Sequence, residues 1–257
     1  MLIPPSRGKA AGGSNARWDP AGGRFGSLGA PRRAVAKALT ARMKSPTLAA
    51  KLLGVGGKHL EWAIEANRSL LDSSTLAASQ RYTGVVWDHL DLAGLSPAAR
   101  QRAGGAIIVF SALHGLVGID DLIPDYRLEI GDSLPGLGGL AKFWQPKVTA
   151  LLAGMFADAV VIDLLPHEHS AAWRPADVAC RAIIRLRFEH IAPDGKRKII
   201  GHDAKAAKGL FARHVLIGSG DPAKRTRTFS DRGWFLDAEE TLGRTTTLVY
   251  AHHVSTA

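Results

Sequence analysis

Two short apolar runs stand out along the chain. "AIIVF" at 106–110 and "AVVIDLL" at 159–165 show no alternation of apolar and polar positions. A half-exposed strand alternates, whereas a strand covered on both faces does not. Both runs are therefore expected as adjacent central strands with helices on both faces. "LIP" at 2–4 reads only as an edge strand, because Pro4 and Pro5 cannot donate to a ladder. Helical spacing fills much of the rest. "PRRAVAKALTARM" places Pro31 at a favourable first helical position, and Ser45-Pro46 opens a second helix that Gly54–Gly57 breaks before a third. "YTGVVWDHL" predicts a short helix, Gly94 a stop, and Ser96-Pro97 a new start. "LAKFWQPKVTALLAGMF" predicts a helix kinked at Pro146.

The carboxyl-terminal third reads as two hairpins around one helix. "CRAIIRLRFEH" and "KRKIIGH" flank Pro193-Asp194-Gly195 as an antiparallel pair, with Ile184, Leu186 and Phe188 on one face and Arg185 and Arg187 on the other. "DAKAAKGLFARHVL" is a basic helix, and "WFLDAEE" with "RTTTLVYAHH" forms a second hairpin. The fold class is thus mixed α/β: one domain over 1–257, a central mixed sheet wrapped by helices, and an amino-terminal helical elaboration over 31–72.

Composition narrows the setting. The chain has 257 residues, 46% hydrophobic and 22% charged, as in an ordinary soluble globular protein. No apolar run approaches the roughly 18 residues of a membrane span. The amino terminus lacks the apolar stretch of a secretory signal. The lone Cys180 fits a reducing compartment, so a cytoplasmic protein is expected. The net charge of +10 is unevenly placed: residues 1–60 carry eleven Lys/Arg against one acid, and residues 61–173 seven against thirteen. Residues 174–232 return to fourteen against six. Two basic segments flank an acidic middle, which suits a phosphate-bearing partner, nucleic acid or nucleotide, if they fold onto one face. An arginine-rich solvated surface is the alternative.

Leu53-Gly54-Val55-Gly56-Gly57 resembles the turn of a helix-hairpin-helix motif. Glycines permit the tight turn, and free amides at the next helix start can bind DNA phosphate. Gly54, Gly56 and Lys58 are the candidate DNA-binding residues; a plain helical hairpin is the alternative. "SALHGLVGIDDLIPDYRLEIG" at 111–131 follows the first apolar run and carries Asp120, Asp121, Asp125 and Glu129 beside Tyr126 and Arg127. In open α/β sheets ligands bind outside the carboxyl ends of strands. An arginine beside carboxylates can hold a ligand phosphate, and a carboxylate in a drier pocket can act as acid or base. The alternative is an internal ion pair of Arg127 with Asp121 or Glu129 that pins the loop.

Several blocks in order resemble the YaaA peroxide-stress family: "LIPPSRGKAAGG", "RYTGVVWDHL", "SALHGLV", "DLIPDYRLEIG", "LPGLGGLAKFWQPKVTALL", "VVIDLLPHEHSAAWRP" and "GHDAKAAKGLFARH". The resemblance implies a mixed sheet wrapped by helices, DNA binding through a positively charged cleft, and a role in limiting free iron under peroxide stress. Asp121, Tyr126, Arg127 and Glu129 match its motif and are the candidate catalytic residues. The chain departs from the pattern at Arg7, where an acid is usual, at Gly118-Ile119, and at Leu165, Pro166 and His169. A shared fold with a re-tuned site is expected.

Ser6, Lys9, Lys205, Lys208 and Arg213 are the candidate phosphate ligands, with a solvated helix face as the alternative for the last three. Asp121, Tyr126, Arg127 and Glu129 are expected to line a cleft with Lys9 and the Lys205 helix, and Arg127→Ala to cost little stability. His167, Glu168, His169 and His202 suggest a metal, but no third ligand is indicated, so neither metal nor cofactor is expected. Two readings remain: a nucleic-acid-binding stress protein, or a hydrolase cleaving an N-glycosidic bond in a nucleotide or nucleobase-like substrate.

Overall fold

Leu2 and Ile3 are fully buried in the middle of the main sheet, not at its edge. The structure, a computed structural model, describes residues 1–200 and 202–254, without the side chains of 202 and 203. The sheet has eight strands. Leu2–Ile3 pairs in parallel with Ile108–Ser111 on one side and with Val160–Asp163 on the other. The two apolar runs are therefore central but not adjacent, because Leu2–Ile3 lies between them. Proline forbids ladder bonds only from residue 4 onward. The bonds here run from Ile108 N–H to the Met1 carbonyl at 2.9 Å and from Leu164 N–H to the Leu2 carbonyl at 3.0 Å.

The parallel set continues through Ala182–Ile191 to Thr245–His253. Three antiparallel strands complete it: Gly115–Val117, Arg197–Ile199 and Phe235–Leu242. Both expected carboxyl-terminal hairpins form. All five parallel strands present their carboxyl ends to one edge, and the chain order reverses around Leu2–Ile3. That arrangement is a topological switch point, where open α/β sheets place their ligands outside the carboxyl ends of the strands.

The helices follow their sequence signals closely. Ser45 accepts a hydrogen bond from Leu48 N–H to cap Pro46–Leu53, and Ser96 caps Pro97–Ala106 in the same way. Gly29–Arg42 begins two residues before Pro31, since a 3-10 turn at Gly26–Leu28 leads into it. Pro31 still falls in the first turn, where no intrahelical N–H is needed. Leu140–Met155 runs through Pro146. No helix among the described residues is long and apolar enough to cross a membrane.

Candidate functional site

The turn at the carboxyl end of Ile108–Ser111 is held by the fold from several sides. Ile108–Ser111 and Gly115–Val117 are joined by Ala112-Leu113-His114. Gly115 has φ +72°, and a Cβ there would sit 2.7 Å from the Trp144 ring, so glycine is required twice over. Trp144 Nε1 donates to the Ala112 carbonyl at 2.7 Å. The buried Arg32 donates to the carbonyls of His114 and Leu116 at 3.0 and 2.8 Å, and to those of Pro20 and Gly22. A buried cation is tolerated there because four carbonyls replace its water.

On this turn sits a buried polar cluster. Ser111 Oγ lies 3.0 Å from His114 Nδ1 and 2.9 Å from the Tyr126 hydroxyl, which lies 2.9 Å from the Tyr82 hydroxyl. Lys9 Nζ sits 4.2 Å above the Tyr126 ring centroid and donates to the Ser6 carbonyl at 2.8 Å. Lys9 is fixed by its backbone as well: it forms a bridge with Tyr82, and Ala10 N–H donates to the Arg81 carbonyl at 2.8 Å. All five side chains are buried. Burial pushes both tyrosine hydroxyls up and holds His114 well below the usual histidine range. Burial, then the facing Arg127, lowers the Lys9 amine to about 7. His114 Nε2 is buried without a partner.

The acidic loop divides around this cluster instead of lining one cleft. Tyr126 joins Lys9, as expected. Arg127 is near enough to act on the Lys9 charge, yet its own contacts lie elsewhere: its Nη1 reaches Asp125 Oδ1 at 2.5 Å and the Tyr126 carbonyl at 2.6 Å, and its guanidinium stacks 3.7 Å from the Trp62 ring centroid. Its main chain is gripped by Asn67, which accepts from Arg127 N–H at 2.9 Å and donates to the Arg127 carbonyl at 2.8 Å. The ion pair foreseen for Arg127 thus forms with Asp125, not with Asp121 or Glu129. Asp121 accepts from Gly118 and Arg24 N–H, both at 2.8 Å, and ties the loop to the amino-terminal segment. Glu129 pairs with the exposed Arg7. Neither carboxylate stands free as a base.

The basic residues are also dispersed. Ser6 supplies its carbonyl to Lys9, and Lys205 is exposed. Lys208 donates to the Leu164 carbonyl at 3.0 Å, and its own burial lowers its basicity. Arg213 donates to the Asp91 and Gly94 carbonyls and closes the end of helix Val85–Leu90. Gly54, Gly56 and Lys58 lie elsewhere, exposed at the tip of the helical hairpin. His169 is pushed down to about 4 by burial. Among the described residues no group of three or more His, Cys, Asp or Glu is arranged to hold a metal ion, and the His202 side chain lies outside them. Sequence reading missed Ser111, His114 and Tyr82. The available signal was polar residues, "S" and "H", placed inside an otherwise apolar "VFSALHGLV".

Comparison with known proteins accords with this arrangement of motifs. The family described as peroxide stress protein YaaA matches residues 1–240. The chain belongs to the YaaA family. A UPF0246 protein of Streptomyces coelicolor is 35% identical over 243 residues, 93% of this chain and 92% of that protein. One from Corynebacterium efficiens is 35% identical over 254 residues, 96% and 98% of the two chains. Identity at this level marks a divergent YaaA-family member. Arg7 takes Glu129 as its partner, and Glu129 also lies near the half-buried His169.

Proposed function

We infer that this YaaA-family protein binds nucleic-acid phosphates through its helical hairpin, within the peroxide stress response that the family description names. The observation that carries this reading is the hairpin tip. Pro46–Leu53 ends on Gly54 in the left-handed conformation, and Gly57–Arg68 begins after an extended Gly56 with no side chain capping it. An uncapped helix start leaves backbone N–H groups and the positive helix end available to an anion. The surroundings suit that ligand. Residues 20–60 hold eight Lys/Arg and no acid, and Lys37, Lys44, Lys51 and Lys58 are exposed.

Binding of a mixed-sequence duplex, measured against salt concentration, tests the reading. Log affinity should fall linearly with log salt. Lys51→Ala with Lys58→Ala should flatten that slope by about two, roughly one per lost phosphate contact, and leave the melting temperature unchanged. No binding at low salt, or a slope untouched by both changes, would overturn it.

A further inference from the structure

Lys9 has no part in the hairpin reading, and its surroundings differ from those of a phosphate ligand. Its amine is buried, bonded to a carbonyl and not to a carboxylate, and pressed against an aromatic face. It stands over Tyr126, whose hydroxyl bonds Ser111 at the carboxyl end of strand Ile108–Ser111, and the residues just before it, Arg7 and Gly8, are exposed. We propose that Lys9 is a covalent carbonyl-binding site, an amine that condenses with a small aldehyde at the carboxyl edge of the sheet.

The chemistry balances without a further reactant. The amine lone pair attacks the carbonyl carbon, a C–N bond forms, and the C–O bond then breaks. Both amine protons leave with the oxygen as water, giving a neutral imine. This needs a neutral amine and a group that can hand a proton to the departing oxygen and recover one from nitrogen. The amine lies over the Tyr126 ring, and the hydroxyl of that ring continues through Ser111 Oγ to His114 Nδ1, the chain we assign to that proton traffic. The charged groups facing Lys9 are Arg127 and Arg81, which favour the neutral amine, and Asp125 and Glu129, which oppose them. Burial outweighs all four, and the amine titrates at about 7. At pH 7 about half of such amines are neutral, against roughly one in a few thousand for an ordinary exposed lysine.

The test treats the folded full-length chain with limiting propionaldehyde and cyanoborohydride, then maps propylated lysines by peptide mass spectrometry. Lys9 should take label at least tenfold faster at pH 7 than the exposed Lys44, Lys51 and Lys58. Its rate should rise with a midpoint near pH 7, and the preference should vanish in urea. Arg127→Gln removes a facing cation and should move that midpoint upward. Lys9 reacting no faster than the exposed lysines in the folded protein, or a midpoint indifferent to Arg127→Gln, would overturn the assignment. The wild-type competition needs no Lys9 variant, so a poorly folding Lys9→Ala leaves the result intact.

Discussion

Replacing Arg127 by alanine removes a brace from the acidic loop, and the structure sets the size of the loss. The side chains of Arg127 and Asp125 are 15% and 13% exposed, so their ion pair is largely withdrawn from water. Truncating one partner of such a pair leaves the other charge poorly solvated and costs about 3–5 kcal/mol. The stack on Trp62 adds roughly 0.5–1 kcal/mol, since that ring is itself exposed. The grip of Asn67 is untouched, because it holds the main chain. A total of roughly 3.5–6 kcal/mol would lower the melting temperature by about 10–15 °C in a chain of this length. The small cost expected from the loop's place outside the apolar core is the competing outcome.

Equilibrium unfolding in urea measures the loss as a shift in midpoint at constant slope. Asp125→Ala alone, and both changes together, complete a double-mutant cycle. If the pair is the source, the double variant should be clearly more stable than the sum of the single losses allows, because the stranded carboxylate is gone. A loss below about 1 kcal/mol for Arg127→Ala would refute the reasoning and return Arg127 to the role of a free ligand-binding cation.

Gly209→Ala should destabilise the protein by about 1–3 kcal/mol, since the added Cβ would meet the Val86 carbonyl oxygen at 2.4 Å where helix His202–Ile217 crosses Val85–Leu90; an unchanged melting temperature would show that the two helices part at no cost. His169→Tyr should flatten the acid limb of stability. The native ring stays neutral down to about pH 4, whereas the unfolded chain takes up that proton near 6.5, so stability present above 6.5 is lost as pH falls toward 4. The variant should lose roughly 2–3 kcal/mol less across that window, read from urea midpoints at pH 7 and pH 4.5. Equal slopes in the two proteins would remove His169 as the titrating group.

What could be read in the sequence follows from how locally each feature is determined. The strands Ile108–Ser111 and Val160–Asp163 declare themselves because burial on both faces forces an unbroken apolar run. The capped helix starts at Ser45 and Ser96 declare themselves because a cap is a contact across three residues. Leu2–Ile3 gives no such signal. Two residues carry no periodicity, and their place between the two apolar strands is fixed by partners more than a hundred residues away. The buried cluster was hidden for the same reason. Lys9, Tyr82, Ser111 and Tyr126 are brought together by strand ends and a helix end, and no spacing along the chain announces them.

The carboxylates of the loop are conspicuous because they are numerous, and a charge near the surface can be satisfied by whatever lies nearby. Asp121 found backbone amides and the half-exposed Glu129 found Arg7, while Asp125 is held more deeply against Arg127. A buried polar group has no such freedom. Desolvation makes each one costly unless the fold supplies its partner, so a buried cluster of five demands placement by the whole sheet. The lysine amine at its edge is therefore the least accidental chemistry in the molecule, although the sequence presents it as one cation among many.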